Sequence, residues 1–316
     1  MFFASKKVSK GVSLSKSILL LIFSINVPFT LRYAPLGHPG RTDFGFFDNF
    51  YIRSKNSVAY SQGIPLKKQF GQHFLRDIRI VHNMIFAVEI KPTTSIFEIG
   101  CGDGFLTKYI LATPAARLKI FEIDPDWAQY VQETYPDERI SMFLDNFLDV
   151  DLHAQLEEYK PWTVLANLPY QVTFPILHRF QEHRHLIKEG VVMIQEEVAQ
   201  KIVQKRGRGY GYPALFFQHY FEWKLLDKVP PTSFHPAPKV FSRLIYFKPH
   251  AQITPIPDEE KFWKFIKHCF KQPRRTLKNN LAHTHYAAEK INPETLVLRA
   301  QEMGMEDFLK IWELIR

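Results

Sequence analysis

Residues 164–170 read Val-Leu-Ala-Asn-Leu-Pro-Tyr, an apolar run that ends in an amide, a turn proline and an aromatic. The chemistry this suits is transfer to an exocyclic adenine amine. Such an amine is a poor nucleophile because its lone pair is delocalised into the ring, so a catalyst must hold it with acceptors. The side-chain oxygen of Asn167 and the backbone carbonyl of Leu168 are two such acceptors. Bonds to them favour a pyramidal nitrogen whose lone pair points at an electrophile, a contact made mostly in the transition state. Tyr170 offers a ring on which a base taken out of its own stack can rest. A short motif also arises by coincidence, and the tetrapeptide alone reads equally well as a strand running into a proline turn. The elements around it decide between the two.

Upstream, Ser95-Ile96-Phe97-Glu98-Ile99 is a short apolar run that opens into Gly100-Cys101-Gly102-Asp103-Gly104 and then a helical pattern from Phe105 to Leu111. Alternating glycines let the backbone turn sharply and approach a ligand closely. The amides at the start of the helix are unpaired. A second strand, Leu118–Phe121, ends in Glu122, 22 residues after Gly100. That is close to the spacing at which a carboxylate meets ribose hydroxyls. A third, Ile140–Leu144, ends in Asp145, and a fourth ends in Asn167. Any one of these is ordinarily a loop-facing polar group. Four in succession fall where open α/β sheets bind ligands.

A dinucleotide-binding domain would share this architecture, but its third glycine would fall at residue 105, which is Phe. The loop is G-x-G-x-G and fits a cofactor with no pyrophosphate to cradle. S-adenosylmethionine is such a cofactor, an adenosine bearing a sulfonium and an amino acid. The loop backbone would hold its carboxylate and ammonium, and Asp145 would accept from its adenine amine. The fold expected is α/β, a class I S-adenosylmethionine-dependent methyltransferase with a Rossmann-like doubly wound sheet.

The chain resembles the KsgA-type ribosomal RNA adenine dimethyltransferases, whose relatives include the Erm methylases and mitochondrial enzymes. The motifs run in order from Lys67 to the C-terminus: Lys67-Lys68-Gln69-Phe70-Gly71-Gln72-His73-Phe74-Leu75, Glu98-Ile99-Gly100, Phe121-Glu122-Ile123-Asp124, Asp145 and the Asn167 tetrapeptide. Gln195–Ala199, Tyr210-Gly211, Val229–Val240 and Phe270–Leu277 continue it. The resemblance implies cofactor contacts at His73, Leu75, Gly100, Glu122, Asp145 and Asn167, to which the loop adds Gly102. It implies two successive methyl transfers to the exocyclic amine of each of two adjacent adenosines in a small-subunit rRNA hairpin loop. No covalent enzyme intermediate is expected, and alignment of donor and acceptor would carry catalysis. Phe234 is a candidate second stacking face for the base. Three positions depart from the family pattern. Cys101 stands where proline is usual, His73 where many members have asparagine, and Tyr212-Pro213-Ala214 follows Tyr210-Gly211 where Arg or Ala and Leu are common.

From Pro257 the pattern turns helical. Phe262, Phe265, Ile266, Cys269 and Phe270 recur at helical spacing with Lys261, Lys264, Lys267, His268 and Lys271 on the other sides. Seven Lys or Arg and no acidic residue lie between Lys261 and Lys278. Pro273 would break the helix and place Arg274, Arg275 and Lys278 near the junction. Charge runs are usually solvated faces, but beside an adenine site Lys271, Arg274, Arg275 and Lys278 read as contacts to rRNA phosphates.

The formal charge is +9, which points to an anionic partner. Residues 1–66 hold eight Lys or Arg against two Asp, so the remainder is only mildly basic and must rely on local patches. The chain suffices for one sizeable α/β unit plus a small helical one. Its two cysteines supply neither a disulfide framework nor a metal-ligand set, and no metal is expected. The division expected is 1–66 an N-terminal extension, 67–256 a methyltransferase domain and 257–316 a helical RNA-binding domain. Lysines 6, 7, 10 and 16 beside the apolar run 17–23, with no acid before Asp43, make the extension signal- or transit-like. That run is short of the roughly 20 residues that span a bilayer, so no membrane role is expected. A mitochondrial or plastid presequence, a lineage-specific extension and a misassigned start all fit; the next methionine is Met84. A cytoplasmic, monomeric enzyme acting on small-subunit rRNA or a 30S intermediate is the principal expectation. An Erm-type large-subunit methylase and a mainly non-catalytic ribosome assembly or nucleic-acid-binding factor are the alternatives.

Overall fold

The computed structural model describes residues 60–67 and 70–316. The expectations for residues 1–59 lie outside them. Seven strands build the central sheet: β1 (Ser95–Ile99), β2 (Arg117–Glu122), β3 (Ile140–Leu144), β4 (Trp162–Asn167), β5 (Ile187–Gln195), β6 (Phe221–Val229) and β7 (Ser242–Pro249). Their order is β3-β2-β1-β4-β5-β7-β6. The first five pair in parallel, and β7 runs antiparallel between β5 and β6.

Burial follows position in the sheet. The central strand β1 is buried at all five residues, as a parallel strand covered on both faces must be, whereas the edge strand β3 has none fully buried. Successive side chains point to opposite faces. Phe97, Val164 and Ala166 therefore join an aromatic layer with Phe121, Phe147, Trp162 and Phe180, while Ile96, Leu118, Ile120 and Leu165 enter the layer opposite.

Helix α1 (Phe105–Leu111) follows β1, and α2 (Pro125–Thr134) follows β2. Asp124 caps α2 by accepting from the Asp126 amide at 3.2 Å, with Pro125 pre-set for the first turn. The C-terminal segment folds as expected into helices, among them α3 (Glu259–Cys269), α4 (Leu277–Leu281) and α5 (Met305–Ile315). Phe262, Phe265, Ile266 and Cys269 are buried on α3, and Lys261, Lys264 and Lys267 are exposed. Trp263 is buried with them, so the apolar stripe is wider than the spacing suggested. Phe262, Phe265, Phe308 and Trp312 share one continuous core with Trp162 from the sheet and Phe180 from the helix Thr173–Glu182 that packs on it. Trp263 Nε1 donates to Tyr220 Oη at 2.7 Å, and Trp312 Nε1 to the Pro257 carbonyl at 2.7 Å.

Residues 60–66, which the sequence reading assigns to the extension, lie on the methyltransferase unit. Tyr60–Ser61 pairs with Ile64–Pro65, and Ser61 is buried, donating to Asp103 of the glycine loop at 3.1 Å. Among the described residues no helix is long and apolar enough to cross a membrane.

Candidate active site

The sheet grows outward from β1 in one direction through β2 and β3 and in the other through β4 and β5. Neighbouring β1 and β4 therefore form a topological switch point, and a cavity of about 380 Å³ opens there at the carboxyl ends of the strands. Its size falls in the range of small-ligand sites. His73, Leu75, Gly100, Gly102, Glu122, Asp145, Asn167, Leu168 and Tyr170 all line it. The nine come from five separate stretches of chain. Phe234 is not among its walls. It is buried with Leu75, its antiparallel partner, in the apolar layer, and its ring acts there as core.

Asn167 ends β4, and its Nδ2 donates to the His73 carbonyl at 3.2 Å. This fixes which end of the amide is donor and leaves Oδ1 as the free acceptor. Leu168 is buried and its N–H donates to the Met193 carbonyl on β5 at 3.1 Å. Its own carbonyl takes part in no backbone hydrogen bond among the described residues. Two acceptors thus stand side by side at the mouth of β4. Tyr170 is held from two directions: its hydroxyl pairs with Ser242 Oγ at 2.6 Å, and its ring lies 5.9 Å from that of His73 at 26°. Burial raises the Tyr170 phenol above its ordinary value, so it stays protonated. His73 Nδ1 lies 2.7 Å from the Pro236 carbonyl and carries the proton it donates there.

Two of the three loop glycines line the cavity, and each needs to be glycine for a different reason. Gly102 has φ +52°, and a Cβ there would sit 2.5 Å from the Phe74 ring. Gly100 has φ +70°, and a Cβ there would meet nothing within 4 Å. The space beside Gly100 is therefore part of the cavity rather than packed protein. Glu122 closes the loop from the end of β2, its Oε2 accepting from Gly102 N–H at 3.1 Å and its Oε1 from Asp124 N–H at 2.9 Å. A carboxylate has about four lone-pair sites, so it can accept from a ligand as well. Burial raises its pKa.

Several supporting groups, some of them inside the quoted motifs, were given no role of their own from the sequence. Glu98 is buried on β1, accepts from Thr107 Oγ1 at 2.7 Å, and is pushed by burial up to about 8. Asp103 is buried and pairs with Arg76, which also donates to Ser61 Oγ at 2.9 Å. Asp124 receives Lys67 Nζ at 2.6 Å and Gln72 Nε2 at 3.0 Å, which ties the 67–75 motif to the end of β2. Four acidic residues, 98, 103, 122 and 145, line the cavity, Glu98 as a neutral carboxyl and Asp103 paired with Arg76, and no Lys or Arg does among the described residues. Such a lining disfavours a pyrophosphate and suits a ligand bearing positive charge. The residues present therefore fit S-adenosylmethionine: open space beside Gly100, acceptors at Glu122 and Asp145, and a lining with no Lys or Arg to oppose its sulfonium.

Lys271, Arg274, Arg275 and Lys278 are all exposed around the turn from α3 into α4. Asn280 builds that turn. It is buried, accepts from Gln272 N–H at 3.0 Å, and donates to the carbonyls of Gln272 at 3.1 Å and Arg275 at 3.3 Å. Leu277 N–H donates to the Leu298 carbonyl at 2.7 Å and secures the start of α4 from the far side.

The sheet order, with the glycine loop after β1, an acid after β2 and the ligand cleft at the switch point, defines a class I methyltransferase. The chain belongs to the ribosomal RNA adenine dimethylase family, whose model matches residues 64–316. It is 37% identical to the ribosomal RNA small subunit methyltransferase A of Chlorobium phaeobacteroides over 80% of this chain and 92% of the relative. Its fold is that of a dimethyladenosine transferase from Plasmodium falciparum, with TM-score 0.63, 20% identity, and 75% and 95% of the two chains covered. It also matches the 23S rRNA methyltransferase ErmE, with TM-score 0.58, 21% identity, and 77% and 99% covered.

Proposed function

We infer that this protein transfers methyl groups from S-adenosylmethionine to the exocyclic amines of two adjacent adenosines in a small-subunit rRNA hairpin loop, giving dimethyladenosine during ribosome biogenesis. The observation that carries this reading is the orientation of Asn167, whose Nδ2 is engaged by the His73 carbonyl so that Oδ1 is left to accept from the target amine. The choice of small-subunit rRNA is supported by the relatives of that name at 31–37% identity.

S-adenosylmethionine supplies, when bound, an electrophilic methyl on its sulfonium. Gly100 and Gly102 would admit it by close backbone approach, Glu122 would accept from its ribose hydroxyls, and Asp145 from its adenine amine. His73 and Leu75 complete the wall. Asn167 Oδ1 and the Leu168 carbonyl accept the two amine hydrogens of the target base, which concentrates the lone pair on nitrogen. Because both acceptors are held in place before the base arrives, little reorganisation accompanies the reaction. Tyr170 stacks on the base, and its hydrogen bond to Ser242 keeps the ring in position. No general base is required of the protein, since the amine loses its proton only after it becomes cationic.

Lys271, Arg274, Arg275 and Lys278 serve as phosphate contacts that orient the rRNA without reading its sequence. The partner is a small-subunit assembly intermediate, met in the cytoplasm by a monomer that needs no metal for catalysis. The test is to incubate the protein with labelled S-adenosylmethionine and separate unmethylated 30S and 50S subunits, and to identify the modified nucleoside by mass spectrometry. Dimethyladenosine confined to two adjacent positions in 30S is the expected result. Label in 50S would assign the chain to the Erm type. Absence of label from a folded, cofactor-binding protein would favour an assembly role.

A further inference from the structure

At the amino ends of β4 and β5, opposite the cleft, three side chains converge that the methyltransferase chemistry does not use. His153 lies on the short helix Leu152–Leu156, Glu157 follows it at the turn leading into β4, and His185 lies in the turn leading into β5. One ligand atom from each falls within 4.8 Å of the other two. Glu157 Oε2 is 3.2 Å from His153 Nδ1, an ion pair only when the imidazole is charged, and makes no hydrogen bond; although the side chain as a whole is 39% exposed, this oxygen is out of contact with solvent. A shielded carboxylate oxygen with no donor is costly unless a cation satisfies it. Its sister oxygen, Oε1, is occupied by the Lys160 ammonium, which leaves Oε2 as the single oxygen available to a metal.

We propose that His153, Glu157 and His185 form a binding site for a divalent transition metal of the zinc type. Two imidazoles and one carboxylate are a set that zinc accepts, with water in the fourth position. Bonds of about 2.0–2.1 Å in a tetrahedron place ligand atoms about 3.4 Å apart. The present spread closes to that by side-chain rotation, since both histidines are exposed and unconstrained by a tight hydrogen bond. Calcium and magnesium prefer all-oxygen sets and are excluded by the two imidazoles. The bound ion would clamp the turn before β4 to the turn before β5. It would act on the stability of the sheet and not on methyl transfer, because Asn167 and the cavity lie at the other ends of these strands. The cysteine count gave no sign of this site. His153 and His185 are 32 residues apart, and only the pairing of Trp162 with Ile187 brings their turns together.

The test is a Zn²⁺ titration of the full chain by calorimetry in chelator-free buffer, repeated with Co²⁺ to read the visible absorption of the bound ion. His153→Ala, Glu157→Gln and His185→Ala are compared with His250→Ala, an exposed histidine elsewhere. Loss of a group merely supporting a metal ligand costs ~10–100-fold in affinity, so loss of a direct ligand is expected to weaken one site by about tenfold or more. His250→Ala should leave that site intact, and the Co²⁺ absorption should vanish in the His153 and His185 variants. Zn²⁺ should raise the melting temperature of the parent protein and not that of His185→Ala. Absence of binding, or binding that the three substitutions leave unchanged or that His250→Ala weakens equally, overturns the proposal.

Discussion

Asn167 Nδ2 and the carbonyl of His73 lie 3.2 Å apart, although the residues are 94 positions apart in the chain. This one bond sets the polarity of the amide that ends β4. Asn167→Ala removes the acceptor and leaves the His73 carbonyl at a partly open surface, where water can satisfy it. The expected result is a fall in kcat of ~10²–10³, as for other single acceptors or donors aimed at a reacting group. RNA affinity should be unchanged within twofold, on the order of 0.4 kcal/mol. Single-turnover methylation of 30S subunits alongside a filter-binding assay separates the two. Equal loss of binding and turnover would mean that Asn167 positions the RNA and does not act on the amine.

Gly100 and Gly102 should respond differently to alanine. In Gly102→Ala the new methyl meets the Phe74 ring at 2.5 Å on a backbone of φ +52°, so strain and clash add. A loss of ~1–3 kcal/mol in stability is expected. In Gly100→Ala no atom is met within 4 Å, so the stability cost comes from the positive φ alone and should be about 1–2 kcal/mol. The methyl then occupies ligand space, and affinity for S-adenosylmethionine should fall at least as far as in Gly102→Ala. Calorimetric melting and cofactor titration on both variants decide this. Gly100→Ala with undiminished cofactor affinity would place the ligand elsewhere in the cavity.

The carboxyl ends of β1 to β4 were legible because each carries an apolar run of strand length that stops at a glycine or a polar side chain. What could not be read were partnerships between distant segments. Phe234 read equally as a second stacking face and as a core aromatic of a proline-rich loop, and its two-residue ladder with Leu75 places it in the core. Asn280 gave no sequence signal, since asparagine in a basic helix ordinarily faces solvent, as the neighbouring Asn279 does. The structure buries it as the anchor of the Gln272–Arg275 turn. The fold boundary was set by motif onset at Lys67, and no pattern marked Ser61, whose hydroxyl reaches Asp103 only after the chain has folded.

Glu98 makes stability depend on pH in a stated direction. Its folded pKa is raised by burial to about 8, against an ordinary value of 4.5. The neutral carboxyl therefore contributes fully below about pH 4.5, and the contribution is lost as pH rises through about 8. Glu98→Gln keeps a neutral group that can accept from Thr107. It should match the parent near pH 4.5 and exceed it above pH 8 by an amount on the order of 5 kcal/mol. Urea unfolding across this range measures the difference. A difference independent of pH would show that Glu98 does not change protonation on unfolding.

The basic turn should act through charge number, and its anchor through geometry. Arg274→Gln, Arg275→Gln and Lys278→Gln together remove three exposed cations without touching the core. If all three meet phosphates, the slope of log affinity against log salt should flatten by roughly 2–3, and rRNA binding should weaken most at low salt. Asn280→Ala keeps every charge but frees the carbonyls of Gln272 and Arg275, so the cations are no longer held on one turn. Its affinity should fall with little change in slope, accompanied by ~1–3 kcal/mol of lost stability from the groups left unpaired. Binding of 30S subunits measured from 50 to 300 mM salt distinguishes the two variants. An unchanged slope in the triple variant would remove this turn from the RNA interface.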